Sequence, residues 1–539
     1  MTEQRSIPLR PLILGILTVL VVLRVSTLLL ASWNEPQITS RLQLYQTDLL
    51  LNAAELEIVS SGNEANDVPP VQNVLVGANP LANALKQYQE VRESAQTSLQ
   101  GFQGRLNDLN TDADPTGASL SEITNPTPPA TAESTQALQR AIQQQQSLLN
   151  QLDVRIGLLQ VNQDETQSAL ELWQQVMERS PPSTPSSSVA TTDPSLGLTA
   201  EILSGLWSQP ARILPDAEPN LQKNLDGWFR YQSLARLYTL QQRTEALTEL
   251  QTLQQAIAQS TLGKLAVIGL MPVVGSLIGI VLLIVVVVQR VLKGPESLLA
   301  QNGSLAWETP WNWEIIWQVL IVGFFLVGQL AIPLLLGLVG FNFSAFGIRA
   351  KAAYTLTYYL SMSGLGLLVL YLSIRSYFPL PKDWFRVSLG DRWLAWGAGG
   401  YFVALPLMIV VSLLNQQIWQ GQGGSNPLLQ IVLEEGDPIS LSIFFFTASI
   451  AAPVFEELLF RGFLLSSLTR YFPVWGAIVV SGLVFAIAHL SLSEVLPLTL
   501  LGCILGVVYT RSRNMLAPMV LHSLWNGATM LSLFVLGSN

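Results

Sequence analysis

The chain divides by the pattern of its apolar positions. Residues 263 to 539 are dominated by long apolar runs, whereas residues 34 to 262 are polar and rich in Gln, Ser and Pro. One further apolar run, from about Leu9 to Ala31, stands before the polar stretch. A helix of about 18 or more apolar residues is long enough to cross the hydrocarbon core of a bilayer. The later runs centre on 265–288, 315–340, 352–373, 393–415, 440–465, 474–490, 495–510 and 515–536. With the first, they predict about nine spans. The first run follows Arg5, contains Arg10 and Arg24, and exceeds the core of a cleavable signal peptide, so it reads as a retained anchor.

A different period governs the polar stretch. Positions 138, 142, 145, 149, 152, 156, 159, 163, 166, 170, 173 and 177 keep 4,3 spacing, and all but Gln145, Gln163 and Thr166 are apolar. A 3.5-residue period marks a coiled-coil or helical-hairpin seam. The stretch 226–258, with Trp228, Leu234, Leu237 and Leu240, is a candidate antiparallel partner. Two breaker-rich linkers flank the seam, at 111–134 and 180–197, and neither holds enough apolar surface to fold. The predicted fold class is therefore all-α: a polytopic membrane helical bundle with a helical, coiled-coil insert. Its expected domains are an anchor at 1–33, the polar coiled-coil and linker region at 34–262, transmembrane helices at 263–430 and a C-terminal membrane domain at 431–539. The insert reads as a spacer or docking arm with nothing catalytic in it, and its heptads also admit self-association.

Composition sharpens this picture. Only 12% of residues are charged, against about 25% in an ordinary soluble protein. The net charge of -9 comes mostly from the polar half, and no basic cluster points to nucleic acid. The single cysteine, Cys503, lies in an apolar run and leaves no intramolecular disulfide to form. Arg290, Lys293, Lys382, Arg386, Arg392, Arg470, Arg511 and Arg513 fall in alternate connections. The 416–439 connection has no Lys or Arg, but carries Glu434, Glu435 and Asp437. The positive-inside rule then puts the N-terminus in the cytoplasm, and residues 34–262 and the C-terminus outside. Arg349 and Lys351 argue the other way.

The candidate chemistry lies in the C-terminal spans. Glu456, Glu457 and Arg461 interrupt the apolar segment "SIFFFTASIAAPVFEELLFRGFLLSSL". Each charge near a bilayer centre costs about 2.5–3.5 kcal/mol on insertion scales, so all three must face protein or a hydrated cavity. Glu457 and Arg461 are four apart, the spacing of an ion pair on one helix face. Glu456 points about 100° away and is expected to do a different job. The plain structural reading is that such charges glue helices together, and a lone intramembrane histidine is usually a packing hydrogen bonder. Yet the only two histidines of the chain, His489 and His522, both lie near the glutamate pair, with Asn526 four residues beyond His522. Three helices that each supply an acid–base group are better explained by one shared cavity than by separate packing accidents.

These residues resemble the motifs of a known family. "EELLFR" is similar to its EExxxR motif, "FAIAH" (Phe485 to His489) to FxxxH and "HSLWN" (His522 to Asn526) to HxxxN, in the family's order and on separate predicted helices. The family contains the type II CAAX prenyl endopeptidases, bacteriocin-processing and immunity proteins, and lysostaphin-resistance proteins. The resemblance covers about residues 440–535. It implies peptide-bond hydrolysis in or at the membrane by Glu456, Glu457, Arg461, His489, His522 and Asn526, on a membrane-protein or lipidated peptide substrate. Two mechanisms fit. In one, Glu456 paired with His489 activates water, and His522 and Asn526 stabilise the oxyanion. In the other, Glu456, His489 and His522 hold Zn2+, whose water attacks. The absence of HExxH and the presence of Asn526 favour the first. Glu457 and Arg461 are expected to orient the site. The competing readings are a proton-coupled transporter, for which no internal repeat is seen, and an idle scaffold acting through its coiled-coil arm.

Overall fold

The computed structural model describes residues 9–33, 37–56, 76–77, 79–112, 129–180, 194–338, 347–419, 422–434 and 436–537. Arg5, Glu435 and the middles of both breaker-rich linkers lie outside them. The described residues are mostly helical, with no strand among them, and form two compact units, residues 39–267 and residues 1–38 with 268–538.

In the first unit, the helix Pro129–Val161 packs chiefly along Pro80–Asp112, a segment whose sequence carries no conspicuous stripe. The 226–258 stretch contributes Trp228, Leu234 and Leu237 to the same core, but as one wall among several. Seam positions Ile142, Gln145, Leu149, Leu152, Ile156 and Leu159 are all buried. The seam then loses phase. A turn at 162–165, with Asp164 in the left-handed region (φ 63°), separates this helix from Thr166–Arg179. Beyond it the buried face is Ala169, Trp173 and Val176, not the 170, 173, 177 that a continuous repeat requires. The heptads thus fold as a hairpin into the chain's own core. The linker ends are also shorter than expected, because Pro129 and Pro194 each open a helix, where a missing N–H costs nothing.

The second unit is the membrane bundle, and the protein is an integral, multi-pass membrane protein. Among the described residues, eight helices are long and apolar enough to cross a bilayer: Arg10–Ser32, a stretch within Thr244–Glu296, Trp313–Leu336, Ile348–Tyr377, Trp393–Trp419, Pro438–Leu468, Leu492–Ser512 and Leu516–Gly537. The ninth expected span is a shorter apolar helix, Val474–Ile487. At 14 residues it rises only about 21 Å. Loop contacts sort the ends of all these helices. At one end, Trp307 N donates to Thr469 Oγ1, Arg470 to the Thr309 and Trp311 carbonyls, Arg511 Nε to the Leu299 carbonyl and Met515 N to the Arg386 carbonyl. Gln37 to Gln422, Leu492 to Ser32, Asn426 to Glu494 and Arg349 to Asp437 make the other. The arginine-bearing loops therefore share one end. Arg349, the exception to the charge pattern, lies at the opposite end with its charge matched by Asp437 at 2.7 Å.

Candidate active site

The segment Pro438–Leu468 is not a uniform α-helix. It passes into wider, i→i+5 bonded π-helical turns at Thr447–Ala451 and again at Glu457–Leu465, with Ala452–Glu456 between them. Such turns in a helix are rare and collect at functional sites. Pro453 supplies part of the cause, because it has no N–H to give to the preceding turn. There the Ala448 carbonyl accepts from Asn526 Nδ2 at 2.8 Å. Asn526 thus ties the last helix to the turn that precedes the glutamates.

Glu456 and Glu457 stand at the junction of the two helix types and reach the same imidazole from opposite sides. His522 Nδ1 lies 2.8 Å from Glu457 Oε1, and His522 Nε2 lies 3.9 Å from Glu456 Oε2. The angle of about 100° between adjacent side chains is spanned by the width of one ring. Arg461 Nη1 donates to Glu457 Oε1 at 2.8 Å, and both side chains are fully buried. Its Nη2 donates to the Gly502 carbonyl at 3.2 Å. That reach depends on close approach of the last three helices' neighbours: a Cβ on Gly502 would stand 2.7 Å from Gly482 Cα. Glu456, by contrast, keeps 15% of its side chain exposed. The two carboxylates therefore differ: Glu457 is paired with Arg461 and sealed, and Glu456 keeps a small opening.

The tautomers follow from the partners. An ionised Glu457 can only accept, so the His522 Nδ1 that faces it carries a proton, and Nε2 is the nitrogen turned toward Glu456. His489 Nδ1 lies 2.9 Å from the Phe485 carbonyl, which likewise fixes its proton there and leaves Nε2 free. Phe485 is the hub of the cluster. Its ring stands 4.8 Å from that of His489 and 5.8 Å from that of His522, with the Arg461 guanidinium 4.4 Å over its face. Ser481 Oγ, bonded to the Phe460 carbonyl at 2.9 Å, ties this helix to the glutamate helix.

The structure thus gathers Glu456, Glu457, Arg461 and His522 directly, and His489 through the Phe485 ring. Among the described residues no hydrogen bond or ion pair joins His489 to Glu456, so the expected Glu456–His489 pair is replaced by Glu456–His522. Asn526 is engaged with backbone rather than with either imidazole. For the donor set suggested for Zn2+, no group of three His, Cys, Asp or Glu side chains among the described residues is arranged to hold a metal ion. The sequence reading missed two participants. One is Phe485 as a packing hub. The other is Tyr359, whose Oη donates to Glu456 Oε1 at 3.0 Å. Its one signal is a tyrosine inside an apolar span, where a hydroxyl needs a partner.

Residues 438–528 match the family model described as Type II CAAX prenyl endopeptidase Rce1-like. The chain is 25% identical over 150 residues to "Putative membrane peptidase YdiL" of Bacillus subtilis (strain 168), covering 27% of this chain and 60% of that protein. It is 29% identical over 141 residues to "Membrane-embedded CAAX protease MroQ" of Staphylococcus aureus (strain USA300), covering 25% of this chain and 56% of the relative. The chain therefore spans less than two thirds of the length of these relatives. No solved structure matches it.

Proposed function

We propose that this protein is an intramembrane endopeptidase that hydrolyses a peptide bond of a membrane-associated substrate with a water activated by Glu456. The observation that carries this reading is the 3.9 Å gap between His522 Nε2 and Glu456 Oε2, beside a carboxylate that keeps a small opening while its neighbour is sealed. Such a gap is too long for a direct hydrogen bond and suits a water held between the two groups. Glu456 takes a proton from that water, and the oxygen adds to the substrate's carbonyl carbon. The tetrahedral intermediate collapses, the C–N bond breaks, and Glu456 returns the proton to the departing amine. Glu457 and Arg461 hold His522 in the tautomer and orientation that the step requires, as a buried carboxylate does for a catalytic imidazole. His489, when protonated, donates from Nε2 to the developing oxyanion, and Asn526 positions the glutamate turn.

A prenylated CAAX peptide, named in the family description, is the first substrate to try, beside unlipidated membrane peptides. The charge pattern supports a cytoplasmic N-terminus, with the arginine-bearing end of the bundle on the cytoplasmic side. Glu456 is nearer the Leu468 end of its span than the Pro438 end, which supports substrate access from that side. The test is purified protein against a membrane-peptide library, with Glu456→Gln, His489→Ala and His522→Ala, each with and without chelator. Wild-type cleavage that all three substitutions abolish is the expected result. An identical product profile from all four proteins overturns the assignment, a substrate-driven proton flux without cleavage supports a transporter, and chelator sensitivity reinstates a metal.

A further inference from the structure

We infer that Tyr359, on a helix outside the Rce1-like stretch, is a positioning residue for the general base. This inference rests on the peptidase reading of Glu456. Tyr359 Oη donates to Glu456 Oε1 at 3.0 Å, while Oε2 of the same carboxylate faces His522 Nε2 at 3.9 Å. One oxygen is therefore held and the other is left for the water. A glutamate has three rotatable bonds, and an unheld carboxylate at a partly open position samples several rotamers. A donor on Oε1 selects the rotamer that keeps Oε2 toward the imidazole.

The surroundings hold the tyrosine in turn. Its ring meets that of Phe455, the residue before Glu456, edge to face at 6.2 Å and 86°. Two glycines fix the helix that carries it. A Cβ on Gly366 would stand 2.9 Å from the Gly323 carbonyl oxygen and 3.3 Å from the Phe455 ring, and one on Gly323 would stand 3.1 Å from Val369. The Ile348–Ile374 helix is thus seated at backbone-contact distance on the Trp313–Leu336 helix, and it meets the glutamate helix through the Phe455 ring. Only small residues permit that approach. Tyr358, the adjacent residue, makes a bond of the same kind to a different end: its Oη donates to the Gly328 carbonyl at 2.6 Å, tying helix to helix without touching the site.

That neighbour supplies the control. With purified full-length protein and a cleaved peptide, Tyr359→Phe keeps the ring and removes the donor. It is expected to lower kcat about tenfold with KM unchanged, because a hydrogen bond to a charged group is worth about that factor or more. Tyr358→Phe is expected to lower the unfolding temperature and leave kcat at the wild-type value. Equal kcat for Tyr359→Phe and wild type overturns the inference, as does an equal loss of kcat from both tyrosine variants. Glu456→Gln runs beside them. If it cleaves as wild type does, the peptidase reading fails; if it is inactive while Tyr359→Phe is fully active, only the role of Tyr359 fails.

Discussion

The polar insert and the membrane bundle both bury charge, and they do so differently. In the insert, Asp153 is fully buried, and each of its carboxylate oxygens is matched by a guanidinium, from Arg92 and from Arg179. Asp48 is likewise engaged on both oxygens, by Tyr88 on one and Arg155 on the other, and Arg155 continues to Asp226. These clusters join helices distant in sequence and leave nothing over. In the bundle, Glu457 gathers Arg461 and His522 on one oxygen, and its Oε2 has no hydrogen-bond partner among the described residues. Glu456 faces His522 across a gap. A buried ion pair alone is weak evidence for function. Incomplete pairing beside imidazoles, at a junction of helix types, is the better mark of a site.

The comparison is most easily broken at Glu456. Glu456→Gln keeps shape and removes the base, so kcat is expected to fall about a thousandfold, within the usual span for a general base. Unfolding should be little changed, because glutamine keeps the shape and the acceptor that faces Tyr359. A peptide-cleavage assay and a thermal melt in detergent check both halves, and retained activity would return Glu456 to the class of packing charges. Next in size is Arg461→Met. It leaves Glu457 buried without its cation, which is expected to cost about 3–5 kcal/mol of stability. Adding Glu457→Gln to Arg461→Met should recover part of that loss, because the uncompensated charge is gone. Melting of the single and double variants decides it: a double variant less stable than the single would mean that shape, rather than charge, dominates there.

Much of this arrangement was legible in the sequence, and the exceptions have physical causes. Eight long spans follow from hydrocarbon thickness, which demands length from any helix that crosses. The 474–490 run was measured too long because the helix closes at Ile487 and Leu490 takes a left-handed conformation (φ 59°), which composition does not encode. The heptads were readable to Leu159, where one turn reset the phase. Motif spacing identified the helices that carry the site. It could not tell which imidazole nitrogen meets which carboxylate, because that depends on the wider turns around Glu456 and on Pro453. Tyr359 is 97 residues from its partner, and no local pattern links them.

The smallest of the expected effects separates the two regions by pH. Burial pushes the Asp48 carboxyl up to about 6, against the lowering by Arg155 and by the Tyr88 hydrogen bond, with the Asp226 charge adding to the rise. The folded chain therefore holds this proton more tightly than the unfolded chain, in which a carboxyl titrates near 4. The sign follows: the contribution is present in full below about pH 4 and is lost as pH rises from about 4 to about 6. A shift of about two units corresponds to about 3 kcal/mol at most. Asp48→Asn imitates the protonated form at every pH, so its stability relative to wild type should climb across that interval and level off above it. Denaturant unfolding of the full chain at pH 4, 5, 6 and 7 measures the difference directly. A difference that stays flat would mean that water reaches Asp48 freely, and its cluster would then be a surface pair, leaving Asp153 as the insert's buried charge.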